Sequence, residues 1–140
     1  MKTDEIARVM NAFNRSKKPW AMTGELAARM HSYHTGMRYP KPKEFEFIVK
    51  NNNLRNFSTV LEGMKYTSLP SRRFWSFVKP GELPIVLRWS TNNPRSVTYE
   101  KYPVQSLEDM IHSYPNLKKV LKTRKNIERS VFEKLNTSLN

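Results

Sequence analysis

Glu44 and Glu46 stand two residues apart, with Lys50 four residues further on. That is the outline of the carboxylate and lysine set with which metal-dependent nucleases hold a cation and polarise a phosphodiester. Such a set also needs an aspartate upstream, and the stretch from Pro40 to Lys43 supplies none. Asp4 and Asp109 are the only aspartates of the chain. His31 and His34, three apart, could share a metal on one helix face. No third ligand follows at a recognisable spacing, so the pair reads as solvent-exposed or capping. The four glycines form no phosphate-cradling loop. With no cysteine there is neither a thiolate zinc site nor a disulfide framework. The expectation is a protein that is not an enzyme, with no metal and no cofactor.

Binding chemistry is better represented. A first candidate is the segment from Lys43 to Met64, read as a helix, an Asn-rich turn and a second helix, the outline of a divergent helix-turn-helix. Arg55, Asn56, Ser58, Thr59 and Lys65 would then reach base edges and phosphates in the major groove of duplex DNA. Phe47 departs from the pattern, because the tight helix crossing normally takes a small residue, and the turn has no glycine. A rival frame uses Thr23 to Met30 as the supporting helix and Lys43 to Asn52 as the reader.

A second candidate interleaves cations with rings: Arg72-Arg73-Phe74-Trp75, Arg88-Trp89 and Tyr99-Glu100-Lys101-Tyr102. Rings can stack on unpaired bases while neighbouring cations hold phosphates, which suits single-stranded DNA or RNA. On a winged helix the same hairpin would be the wing, with Arg95 at its tip. Packing competes for these rings: alternation puts Ile85, Leu87 and Trp89 on one face, and Trp75 and Phe77 also read as core. The third candidate is the C-terminal helix, whose Lys118, Lys122, Lys125 and Arg129 lie opposite an apolar stripe and could follow a phosphate backbone.

The elements that would position these residues read as α+β. Ile6, Val9, Met10 and Phe13 recur at helical spacing behind Asp4 and Glu5, and Thr23 offers an N-cap for a helix over 24–30. Lys43 to Lys50 fits a strand or a helix. Pro42 ahead of Lys43 and Glu44 favours the helix, as does the cap that Asn51 to Asn53 could supply. Asn56 to Met64 reads as another helix. Past Pro70 come strands over 73–78, 84–89 and 96–102, the last two predicted to pair as a hairpin across Ser90 to Arg95. Ser106 with Asp109 resembles a capping box, opening a helix that stops before Pro115, and a last helix runs from about Asn116 to Leu135. The predicted fold is a helical N-terminal half, a small antiparallel wing-like sheet and a basic C-terminal helix.

Charge unifies these readings. Lys and Arg number 25 against 12 Asp and Glu in 140 residues, a net of +13. Residues 1–40, 41–115 and 116–140 carry +4, +4 and +5 of it, so the excess belongs to a surface rather than to one tail. Such like charge opposes compaction and calls for a polyanionic partner. Hydrophobic residues at 38% and aromatics at 11% suffice for one core, so residues 1–140 read as a single domain. The acidic start and the lack of an apolar run predict a cytoplasmic protein without membrane association. Heavy use of Asn and Lys fits an A·T-rich coding genome such as a viral one.

The sequence thus predicts a non-catalytic nucleic-acid-binding protein, foremost a duplex DNA-binding regulator of transcription or an accessory factor. Single-stranded DNA or RNA is the rival partner. A third reading, in which the basic face binds an acidic surface of a host polymerase or nuclease, keeps the charge and changes the class of partner. Oligomeric state is left open.

Overall fold

The segment from Phe45 to Lys50 decides the architecture. In the computed structural model, which describes the backbone of residues 2–139 and the side chains of residues 5–129, it is a strand, β2 (Phe45–Lys50). β2 lies near the middle of the sheet, antiparallel to β1 (Trp20–Thr23) and parallel to β5 (Ile85–Ser90). The helix expected here does not form. Phe45, Phe47 and Val49 are aromatic or β-branched at every second position, and two neighbouring strands satisfy their backbone groups, which outweighs a local N-terminal helix signal.

The sheet has seven strands in the order β3-β4-β5-β2-β1-β7-β6, completed by β3 (Thr67–Pro70), β4 (Trp75–Val78), β6 (Ser96–Tyr99) and β7 (Tyr102–Gln105). β1 and β7 also run parallel, so the sheet is mixed. This replaces the predicted helical half with a small antiparallel wing. β5 and β6 do not pair; three strands separate them, and the hairpin is β6 with β7, turning at Glu100 with φ +61. Arg95 therefore sits in a connection crossing the sheet, not at a hairpin tip.

Strand register sorts the side chains onto two faces. On the first, Trp20, Met22, Phe45, Phe47, Ile85, Leu87 and Phe77 meet α1 (Lys2–Arg15) and α3 (Leu54–Gly63). Phe13 of α1 is the hub: its ring stands edge-on to Trp20, Phe47 and Phe57 at centroid distances of 5.5, 5.2 and 5.0 Å. Full burial of such side chains contributes about 1.5–3 kcal/mol each. Phe77 is buried as expected, whereas Trp75 and Trp89 are only half-buried at the margin of this core.

The second face carries Ala21, Thr23, Glu46, Ile48, Val86 and Arg88, a mixture of small, β-branched and charged residues. α2 (Gly24–His34) lies over β1, β2 and β7 here, with Ala27 and Ala28 fully buried against the strands. Small residues on both sides let the helix approach closely. α4 (Leu107–Met110) packs against α2 and is one short turn; no side-chain cap forms at Ser106. α5 (Lys118–Leu139) follows a 3-10 turn at Pro115–Leu117. No helix among the described residues is long and apolar enough to cross a membrane.

His31 is buried rather than exposed or capping. One ring nitrogen meets the Tyr99 hydroxyl at 2.8 Å and the other the Gln105 carbonyl at 2.7 Å, while His34 stacks on the Tyr99 ring at 4.0 Å. Burial pushes the His31 pKa below 6.5; the Gln105 carbonyl and Glu108 oppose that, and Arg124 and His34 add to it. The unfolded chain therefore binds more protons in this window than the native one. The stability that neutral His31 contributes is full above pH 6.5 and is lost as pH falls through the lowered native value. In thermal unfolding from pH 8 to pH 5, His31→Gln should start less stable than the wild type and lack this acid slope. An unchanged slope would assign it to other groups.

Candidate functional site

Three separate segments converge on the second face of the sheet. β1 ends at Thr23, and Gly24 turns the chain into α2 with φ +61. Across the strands, Thr23 is the register partner of Glu46. The Glu46 carboxylate lies directly on Gly24: a Cβ there would fall 2.4 Å from Glu46 Cδ. Only glycine meets both demands, the left-handed backbone and the close approach. Thr23 is the N-cap residue of α2, but its hydroxyl caps nothing and donates to Gln105 Oε1.

Glu46 is 6% exposed, and its Oε2 accepts a hydrogen bond from Arg88 Nε at 2.9 Å. Arg88 reaches it from β5, one pleat along, where it is the register partner of Ile48. The Phe74 ring lies 5.2 Å from the guanidinium carbon. Glu44, two residues before Glu46, is on the same side of the chain. Its pKa is raised, first by burial, then by the charge of Glu46 and a hydrogen bond shared with it, against the pull of Arg88. Tyr114 senses the same centre: burial and the Glu46 charge raise its pKa, and Arg88 opposes them. The result is a fixed carboxylate–guanidinium pair beside a carboxyl that holds its proton more tightly than usual. Such a group is a competent proton acceptor once ionised.

Beside this centre, on the same face, is a cleft of about 320 Å³ lined by Ile48, Ser90, Asn92, Asn93, Arg95, Gln105 and Asp109. Its lining is rich in amides that can both donate and accept.

Paired carboxylates of this kind often hold a divalent cation. Among the described residues no three His, Cys, Asp or Glu side chains come together as a metal site. Mg²⁺ can manage with one or two carboxylates when phosphates complete its shell, so the count alone decides nothing. Occupancy does: the buried Glu46 carboxylate is already held by Arg88, and a cation placed there would face a guanidinium. The donor set does not fit a resident metal ion.

The sequence candidates are dispersed. Arg55, Asn56 and Thr59 are exposed on α3, but Thr59 Oγ1 donates to the Arg55 carbonyl, and Ser58 is buried, donating to Glu62. α3 packs on α1, and the segment leading into it is strand β2 and a 3-10 turn at Asn51–Asn53 instead of a supporting helix, so no helix-turn-helix forms. Lys65 is exposed just past α3 with φ +76. Arg95 is paired with Asp109. Lys118, Lys122, Lys125 and Arg129 are exposed along α5, away from the carboxylates in sequence. Arg72 and Arg73 are exposed in the β3–β4 loop, next to the Phe74 that carries Arg88. Of the predicted binding residues, only Arg88 belongs to the converged centre. Glu44 and Glu46, set aside for want of an aspartate, are its core, and Lys50 lies about 13 Å along the strand from Glu46. Gly24 was missed outright; its signal was a Thr-Gly pair at a strand-to-helix junction, invisible while β1 was unrecognised.

No protein-family model matches the chain, and no curated protein sequence does. Solved structures do match. They include a lincosamide antibiotic adenylyltransferase, LnuA, in its lincomycin-bound form, at 10% identity and TM-score 0.61, over 77% of this chain and 82% of that one. The structure of ANT(2")-Ia in complex with adenylyl-2"-tobramycin matches at 14% identity and TM-score 0.60, over 98% and 88%. A candidate nucleotidyltransferase from Thermotoga maritima matches at 14% and 0.56, over 94% and 92%. These neighbours overturn the expected non-catalytic binder in its duplex-regulator, single-strand and protein-modulator forms, along with the exclusion of catalysis and the helix-turn-helix and winged-helix assignments. The fold of this chain is similar to the folds of these solved structures.

Proposed function

We propose that the protein is a nucleotidyltransferase, moving a nucleoside monophosphate unit from a nucleoside triphosphate to a hydroxyl acceptor at the Gly24, Glu44, Glu46 and Arg88 centre. The observation that carries this reading is the Glu46 carboxylate seated on Gly24 at the start of α2, within a fold shared with adenylyltransferases. In the reaction the acceptor oxygen bonds to the α-phosphorus, the bond to the β-phosphate oxygen breaks, and pyrophosphate leaves. Ionised Glu44 takes the acceptor proton, and burial, which raises its pKa, strengthens its hold on that proton. With no side-chain cap at Thr23, the first-turn N–H groups of α2 and the guanidinium of Arg88 are the donors this reading assigns to phosphate oxygens. The amide-lined cleft is large enough for a nucleoside.

A net charge of +13 favours a polyanionic acceptor, and nucleic acid is the acceptor this reading selects. Arg72 and Arg73 are exposed beside Phe74, whose ring lies against Arg88 of the centre. The test is transfer of an α-labelled nucleotide to DNA and RNA oligonucleotides. Glu44→Gln and Glu46→Gln should each lower the rate by about 10²-fold or more while the fold persists by circular dichroism. Transfer that survives both changes, or none to any acceptor by the wild type, removes the assignment.

A further inference from the structure

Two carboxylates that converge on a half-closed sheet face repel each other unless a cation or a proton lies between them. Proteins meet this in three ways: one carboxyl stays protonated, a metal ion binds, or a basic side chain is built in. Here the third is visible beside a partial use of the first, since Glu44 shares a hydrogen bond with Glu46 that favours its protonated form. Arg88 projects from the strand next to β2, bonds Glu46 Oε2 at 2.9 Å and is backed by the Phe74 ring, while its own side chain stays 42% exposed. Glu25 at the start of α2 adds acidity nearby without entering the pair.

We infer that Arg88 is a permanent counter-cation for the Glu44–Glu46 pair, standing where the two carboxylates would otherwise gather a divalent metal ion. The centre then keeps its charge balance in the absence of any metal. The inference deepens the nucleotidyltransferase reading and rests on it for its biological meaning, but its chemistry can be examined separately.

Mn²⁺ is the probe, followed by the loss of its free paramagnetic resonance signal on titration with the full chain. The wild type should leave the signal of free Mn²⁺ nearly unchanged. Arg88→Gln removes the charge that excludes a dication, and should gain about one site, at least about tenfold tighter than anything in the wild type. Adding Glu46→Gln to that variant should erase the gain, and Arg88→Lys, which keeps the charge, should resemble the wild type. If Arg88→Gln does not fold, Arg88→Met retains a long side chain beside Phe74 and serves the same comparison. A wild-type site as tight as the variant's, lost on Glu46→Gln, would overturn the inference, as would a folded Arg88→Gln or Arg88→Met protein that gains nothing. Failure of nucleotide transfer would leave these titrations unaffected, so the two claims can fall independently.

Discussion

Gly24→Ala is expected to abolish nucleotide transfer and to lower the melting temperature by roughly 10 °C. Two costs combine. An alanine at φ +61 is strained by about 1–3 kcal/mol. Its Cβ would also fall 2.4 Å from Glu46 Cδ and 2.5 Å from Oε2, so the carboxylate must move. That displacement pulls Glu46 away from Arg88. Breaking a buried pair costs about 3–5 kcal/mol, less here because Arg88 is partly in solvent. Gly81→Ala separates the costs: its φ is +81 but nothing lies within 4 Å of the added Cβ. Only the conformational strain should appear there, with activity retained. If the two substitutions behave alike in thermal unfolding and in transfer, the close approach to Glu46 has no consequence.

The second large effect belongs to the opposite face of the same strand. Phe47 is fully buried, with its ring edge-on to Phe13 at 5.2 Å and to Trp20 at 5.7 Å. Truncation to alanine leaves a cavity that α1, β1 and β2 border together, and such a change costs about 3–5 kcal/mol. Chemical denaturation should show the midpoint falling with little change in slope. Because Phe47 adjoins Glu46 in the chain but points away from it, residual folded protein should retain its affinity for nucleotide. A loss below about 1 kcal/mol would contradict the packing described.

What the sequence conveyed depended on whether a local pattern agreed with its tertiary setting. α1, α2 and α3 were legible because their apolar spacing and their packing point the same way, while α5 was legible by spacing alone, since Ile127 of its apolar stripe is exposed. β4 and β5 were legible through their aromatic and β-branched residues. Lys43 to Lys50 was ambiguous, since Phe45, Ile48 and Val49 satisfy a helical face while Phe45, Phe47 and Val49 satisfy a strand. Only pairing with β1 and β5, far away in the chain, resolves it. β1 is four residues long and hid between two helices, and β3, Thr67–Pro70, contains a proline that demotes it as a strand. The site followed the same fate. Glu44 and Glu46 were noticed, but their partner is an arginine from β5 and their floor is a glycine from the β1–α2 junction. A search for a third acid could find neither. The basic residues were correctly seen as dispersed in sequence, and the error was to assemble them around a helix that is a strand.

The parallel pairing of β2 with β5, and of β1 with β7, joins segments about 40 and 80 residues apart. Closing loops of that size is entropically slow, so this chain should fold in the sluggish range for its length. Gly24, Glu46 and Arg88 come from strands or strand ends on either side of those closures. A nascent chain released before Arg88 has emerged would carry Glu46 and its neighbour Glu44 without their balancing charge, so the centre is complete only once β5 has paired with β2.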